Sequence, residues 1–375
     1  MKSFPCSPDY LPIKDLEYSS LIKPLGEANR SLARYDGMIR GMVNPDVLLS
    51  PFILQEAVLS SRIEGTQATV DEVYEKEAGE TFSQSREADI QEILNYRQAL
   101  RYGSSSLRDR RISLSLIKEI HRLLLNGVRG SMKTPGLFRT EQNWIGPRGC
   151  TIEEASYIPP DPLVVEAYLD NWLAYIMEDH LDPLLQTAIM HAQFEIIHPF
   201  LDGNGRIGRL LIPLLLYAKG VLYRPMFYLS SYLERHRDRY YQLLNNIHSS
   251  GNWNEWILFF LQAIIEQSNE NANLVRSVNL LHDKLSDAFR KITKSAYYPL
   301  ILDEMFHSPI FTKSQMVNRL QDCNANTVRR LIDLLIKHGY VMVVRPGKGR
   351  RADLCQLPSL FHAASGKAYT LPENG

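Results

Sequence analysis

Cysteine is scarce in this chain of 375 residues, and Cys6, Cys150, Cys323 and Cys355 form no CxxC pair and no metal-ligand spacing. That pattern excludes a disulfide scaffold and points to free thiols in a reducing compartment. Net charge is lacking too: 42 Lys and Arg balance 42 Asp and Glu. No global basic field announces a nucleic-acid partner, so any such surface must be local. Long apolar runs are missing. The most apolar stretch, Leu210 to Ala218, is interrupted by Pro213 and falls well short of the ~18 residues a membrane span needs. Met1-Lys2-Ser3-Phe4-Pro5 lacks the apolar core of a signal peptide, so the expectation is a cytoplasmic protein with no membrane segment. There is no Walker Gly-Lys-Ser/Thr, no HExxH, no internal repeat and no low-complexity segment.

What is present is an ordinary globular composition, 45% hydrophobic and 22% charged, in a chain long enough for two or three domains. Residues 1–20 are Pro-rich and read as extended. Helical spacing follows over 21–42, with Leu25, Ala28, Leu32 and Tyr35 on one stripe. Ser50-Pro51 reads as a capping hydroxyl before a first-turn proline, and that helix stops at Gly65. Thr69 with Glu72 forms a capping box. Further helices are expected at 86–102, 113–126, 162–178, 183–197, 231–248, 253–268 and 270–292, with a short hairpin at Trp144–Gly149. After Tyr297 come three helices (297–306, 312–320, 324–338), a strand at 340–344, a basic turn and a returning strand at 352–357. That is the order of a winged helix.

One run concentrates the chemistry: His198-Pro199-Phe200-Leu201-Asp202-Gly203-Asn204-Gly205-Arg206-Ile207-Gly208-Arg209. It leads into an apolar-periodic helix (Ile207, Leu210, Leu211, Leu214, Leu215, Ala218), so its glycines lie where unpaired N–H groups and a positive dipole end favour an anion. Gly203 to Gly208 matches GxGxxG, but a dinucleotide site needs a preceding strand, and the preceding segment is helical. A plain helix–turn–helix joint leaves Arg206 and Arg209 on one face beside a helix N-terminus, where cations need an anion. Phe200 reads as core. His191 has no carboxylate at ligand spacing and reads as structural. For Pro213 the sequence offers only a kink or a shifted helix start.

The run resembles the Fic family motif HPFxDGNGRxxR at every specified position, and the resemblance extends over about Ile112 to Tyr241, including the turn Pro135-Gly136-Leu137-Phe138-Arg139. It implies a mainly α, all-helical Fic core with a small β-hairpin flap, followed here by the C-terminal winged helix-turn-helix domain. The implied activity is transfer of AMP from ATP to a Tyr, Ser or Thr hydroxyl of a target protein or of the chain itself. On that resemblance His198 is the general base, Asp202 holds Mg²⁺, and Gly203, Asn204 and Gly205 offer backbone N–H groups. Arg206 meets the β-phosphate and Arg209 the γ-phosphate. Gly205 fits the AMP-transferring members rather than the phosphotransferase variant, which has Lys there.

Ser60-Ser61-Arg62-Ile63-Glu64-Gly65 reads by itself as a helix end, with the oddity of an anion in the last turn. Beside the resemblance it matches the inhibitory motif [S/T]xxxE[G/N], in which Glu64 pairs with Arg209, with Ser60 one turn earlier on the same face. The expected organisation is an N-terminal helical region (1–105) carrying the inhibitory motif (60–65), the Fic core and following helices (106–290), the winged helix (291–360) and a tail (361–375). Residues 143–157 correspond to the flap, where an extended target segment adds as a strand. Arg329, Arg330, Lys337, Arg345, Lys348, Arg350 and Arg351 form a basic stripe that suits DNA, while the same 295–360 module suits protein contacts or a homodimer equally. Two rival readings stay open at this point: removal of AMP, with Glu64 positioning a water, and a DNA-binding regulator with a degenerate nucleotide site.

Overall fold

Apolar spacing of 3.6 residues dominates the chain, and helices dominate the computed structural model, which describes residues 5–147, 149–179, 181–349, 351–364 and 371–372. In order come α1 (Tyr18–Arg40), α2 (Pro45–Leu48), α3 (Ser50–Ile63), α4 (Val70–Glu77), α5 (Gln84–Ser106) and α6 (Leu114–Leu124). Next are α7 (Val165–Met177), α8 (Pro183–Ile197), α9 (Asn204–Ala218), α10 (Ser230–Arg235), α11 (Arg237–Ser250) and α12 (Trp253–Thr293). The chain continues through α13 (Tyr298–His307), β1 (Ile310–Thr312), α14 (Lys313–Arg319), α15 (Ala325–Lys337), β2 (Met342–Arg345), β3 (Leu354–Gln356) and α16 (Pro358–Ala364). It is a mainly α protein with one small sheet. Among the described residues no helix is long and apolar enough to cross a membrane.

Contacts group the chain into two units that interleave in sequence. One comprises residues up to Asp36, Leu59–Thr66 and Gln91–Asn269; the other comprises Gly37–Val58, Gln67–Ile90 and residues from Glu270 on. The stretch 1–105 therefore contributes to both. In the first unit α8 and α9 are the packed centre: apart from half-buried Glu195, every residue of α8 from Leu184 to Ile197 is buried, as is all of α9 from Arg206 to Leu216. Helices buried on every side need neighbours all round, and α8 packs on α7, α9 and α11. The indoles of Trp172 and Trp256 donate to the α8 carbonyls of Met190 and Ala188, at 2.9 Å each. Pro213 neither ends α9 nor moves its start, which stays at Asn204.

In the second unit β1, β3 and β2 form an antiparallel sheet in that order, with Cys355 opposite both Phe311 and Val343. Thr312 caps α14 in a capping box with Gln315, and Asn324 caps α15. Glu80 bonds both Arg345 and Arg351. Two cations of the expected basic stripe are thus neutralised. Arg329, Arg330 and Lys337 stay exposed on α15, and Arg350 lies outside the described residues.

Several expectations need correction. Residues 253–293 form one helix of 41 residues where two were expected: the polar run Ser268 to Asn271 contains neither Gly nor Pro, and polar side chains interrupt a stripe without breaking a helix. Trp144–Gly149 is not a hairpin. Instead Ile145 bridges Tyr157, with a 3₁₀ turn at Ile152–Glu154 between them. Gly146, Pro147 and Gly149 explain this, since proline cannot donate to a ladder and glycine weakens one; Arg148 lies outside the described residues. Ser50 is the first residue of α3 rather than its cap. The sequence reading missed β1, which is three residues long and buried throughout, and α16, which includes the start of the expected tail.

Candidate active site

The loop between α8 and α9 is built to hold one imidazole. His198 ends α8 in the left-handed region, φ 49° and ψ 59°, a conformation that strains any residue with a Cβ. Arg139 holds it there. Its buried guanidinium donates through Nε to the His198 carbonyl at 2.9 Å and through Nη2 to the Pro160 carbonyl at 2.5 Å, while its backbone N–H reaches the Pro199 carbonyl at 2.9 Å. Burial drives the Arg139 pKa down to about 10. Two carbonyl-directed contacts fix the rest of the loop. Asn204 closes a ring on Phe200, accepting from its N–H and donating to its carbonyl at 2.8 Å each. His121 accepts from Gly136 N–H at 2.8 Å and bonds the Asp202 carbonyl at 2.9 Å, its ring stacked 3.7 Å from that of Phe200. A carbonyl only accepts, so His121 carries its proton on Nε2 and is neutral, its pKa lowered by burial to about 4.

The same reasoning fixes the His198 tautomer. Its Nδ1 lies 3.2 Å from the Glu195 carbonyl and must donate, which leaves the Nε2 lone pair available. Burial lowers its pKa to about 4, with the Arg139 charge acting in the same direction. The neutral, base-competent form therefore prevails at neutral pH.

On the far side of Gly205 lies the anion-favouring start of α9, where Gly203 is the N-cap with φ 80°. The N–H groups of Asn204, Gly205 and Arg206 open the helix and have no acceptor inside it. Beside them, against Gly205, stands Glu64. A Schellman turn ends α3, with Thr66 N–H on the Ser61 carbonyl, Gly65 N–H on the Arg62 carbonyl and Gly65 at φ 98°. It aims the Glu64 carboxylate across Gly205, so close that a Cβ on Gly205 would collide with Glu64 Oε1. Arg209 donates to Glu64 Oε1 at 2.6 Å, to the Ser60 hydroxyl at 2.9 Å and to the Ser60 carbonyl at 3.0 Å. Burial alone would raise the Glu64 pKa; the Arg209 charge and hydrogen bond, with Arg206 and His198, reverse that and hold it below the usual range. Arg209 is 3% exposed, and a cation buried so deeply needs this pairing.

These groups share a cavity of about 540 Å³, in which His198, Glu64, Gly205 and Arg209 meet the aromatic wall of Tyr240, Tyr241 and His248 and the flap residues Ile145 and Pro147. Ser60 reaches it only through Arg209. Gly203, Asn204, Asp202 and Arg206 do not line it. Arg206 is 1% exposed and lies 3.4 Å from both Asp202 Oδ1 and Glu92 Oε2. Asp202, 34% exposed, offers a single carboxylate, and among the described residues no three ligating side chains cluster. One carboxylate beside a phosphate-ready helix start suits Mg²⁺, which takes one or two carboxylates, waters and substrate phosphates rather than an all-protein cage.

Sequence reasoning missed Glu92, His121 and Glu195; the two tyrosines of α11 lie in the stretch 228–241 that the Fic resemblance places on the nucleotide side without singling out a residue. Glu195, at the pocket edge, packs against Gly208 and has its pKa raised by burial to about 8. The one signal for Glu92 was arithmetic: two cations three residues apart, Arg206 and Arg209, with a single expected anion, Glu64, between them. His191 is structural, buried and bonded to Tyr240 Oη at 2.9 Å.

Comparison with known proteins fits this architecture. The Fic/DOC family N-terminal domain matches residues 22–105 and the Fic/DOC family domain matches 111–216. Protein adenylyltransferase Fic of Drosophila grimshawi is 32% identical over 158 residues, 41% of this chain and 29% of the relative. A probable protein adenylyltransferase of Aquifex aeolicus is 31% identical over 189 residues, 47% of this chain and 53% of the relative. The chain thus spans between about three tenths and half of the length of these two relatives. Among solved structures, a Fic family protein from Desulfovibrio desulfuricans G20 shares the fold over 94% of this chain and 98% of its own, with a TM-score of 0.58 and 18% identity. One from Bacteroides thetaiotaomicron covers 67% of this chain, with a TM-score of 0.52 and 19% identity. Two family domains follow one another in sequence and together match just over half of the chain, the second contains the loop that carries the full motif, and the chain belongs to the Fic/DOC family.

Proposed function

We propose that the chain is an autoinhibited protein adenylyltransferase, moving AMP from ATP to a hydroxyl of a target protein or of itself. The observation that carries this reading is the Glu64 carboxylate lying over Gly205 and bonded to Arg209. It stands beside the helix start, where an anion is favoured, and it engages the cation assigned to the γ-phosphate. With Glu64 displaced, the N–H groups of α9 and the guanidiniums of Arg206 and Arg209 receive the phosphates. The aromatic wall of α11 receives the nucleoside. His198 Nε2 takes the proton from the attacking hydroxyl as the new P–O bond forms and pyrophosphate leaves. Arg139 and Asn204 keep the imidazole and loop in place, so no reorganisation is needed during the step. Asp202 would hold Mg²⁺, which neutralises phosphate charge when bound. The target segment docks along 143–157, where Ile145 and Tyr157 already pair main chain to main chain.

Incubation with ATP carrying an isotope on the α-phosphate tests the gate and the base together. The wild-type chain labels protein weakly, Glu64→Gly labels it at least about tenfold faster, and Glu64→Gly/His198→Ala not at all. Equal labelling by wild type and Glu64→Gly sinks the inhibitory reading. Release of AMP from premodified protein faster than its attachment would favour the hydrolytic reading instead.

A further inference from the structure

Arg206 is held from behind by a residue outside the Fic motif. Glu92, in α5, is buried with Arg206 and places Oε2 3.4 Å from Nη1. The same oxygen accepts from the Thr66 hydroxyl at 2.7 Å, two residues beyond Glu64, and from Arg129 Nη2 at 3.5 Å. Arg129 is 57% exposed, and its neighbour Gly130 packs on the Asp202 carboxylate, 2.8 Å from where a Cβ would stand. The charges therefore alternate: Arg129, Glu92, Arg206, Asp202. Yet Arg206 is incompletely satisfied. Both its carboxylate contacts are long, and its buried Nε has no hydrogen-bond partner among the described residues. A buried guanidinium with a spare N–H is set up for one more acceptor.

We infer that Glu92 is a positioning residue of the phosphate site, holding the Arg206 guanidinium at the angle from which it meets the β-phosphate of a nucleoside triphosphate. This rests on the nucleotide reading of the pocket. A purely structural ion pair would contribute to folding and treat all nucleotides alike. A positioning residue acts only on nucleotides with a phosphate beyond the first, and only while Arg206 is present.

Calorimetric titration of the full chain in the Glu64→Gly background, with ATP and with AMP, separates these. Glu92→Gln keeps the side-chain volume and an acceptor for Thr66 but drops the charge. It weakens ATP by about tenfold, the worth of one oriented charge-assisted hydrogen bond, and AMP by less than about twofold. Glu92→Ala does the same more strongly, with unchanged AMP affinity reporting an intact pocket. Added to Arg206→Ala, neither Glu92 variant weakens ATP further. Equal loss of ATP and AMP, no loss of ATP, or full additivity with Arg206→Ala overturns the inference. Failure of the Glu64→Gly parent to bind either nucleotide overturns the nucleotide reading itself, and this inference with it.

Discussion

Gly205 and Gly208 have no side chains for two different reasons, both at the surface of α9. At Gly205 a Cβ would meet the Glu64 carboxylate and stand 3.0 Å from Arg209 Nη1, so glycine is required for the Glu64–Arg209 arrangement. At Gly208 it would meet Glu195 Oε1, a buried oxygen with no hydrogen-bond partner among the described residues. Gly208→Ala forces that carboxyl aside and destabilises the chain by about 1–3 kcal/mol, as overpacked cores do. Glu195→Ala in the same chain recovers most of the loss, and denaturant midpoints of the two variants check this. His198 makes a second prediction at this scale. Burial favours its neutral form, so transfer by Glu64→Gly is flat from pH 8 to about 5 and declines only as pH falls through about 4. A profile of kcat/KM that breaks near 6.5 would show an imidazole exposed to water.

Among the elements, the end of α3 and the start of α9 share one ion pair whose two halves have opposite needs. Glu64 sits at a helix C-terminus and Arg209 in the second turn of a helix, positions that the helix dipoles do not favour. Each corrects the other. Removing the carboxylate leaves Arg209 buried with Ser60 as its remaining hydrogen-bond acceptor among the described residues, so Glu64→Gly lowers the thermal midpoint, by about 1–3 kcal/mol in stability. ATP then raises that midpoint more than it raises the wild type's, because phosphate replaces the lost anion; thermal melts with and without ATP measure both. The helices themselves were legible because 3.6-residue periodicity, Gly65 and the Thr69 box are local signals. So was the motif, whose residues are contiguous. Glu92, His121 and Glu195 were not, because each acts across more than one element and looks, in its own helix, like an ordinary polar residue. The short hairpin expected at Trp144–Gly149 was misread for a related reason: Ile145 pairs with Tyr157, twelve positions on, and the intervening Gly and Pro suggested a tighter turn than forms.

At the scale of the molecule, buried titratable groups set a stability optimum. His121, His191 and His198 have pKa values lowered by burial to about 4, 3 and 4, so below the ordinary 6.5 the unfolded chain binds more protons and stability falls with pH. Glu195 runs the other way. Raised to about 8 by burial, it keeps its proton in the folded chain, and its contribution is lost as pH rises from 4.5 through 8. Three histidines outweigh one carboxyl below pH 6.5, and Glu195 acts against them alone above it. Thermal midpoints therefore peak near pH 6.5, and Glu195→Gln removes the decline on the alkaline side. The peak belongs to the packed α8–α9 centre, which contains the motif loop and three of these four groups. Whether that centre performs nucleotidyl transfer is decided most directly by which phosphorus reaches protein. The Glu64→Gly chain is incubated with Mg²⁺ and ATP labelled at either the α- or the γ-phosphate. The account predicts protein-bound label from the α position alone; label from the γ position, or from neither, would contradict it.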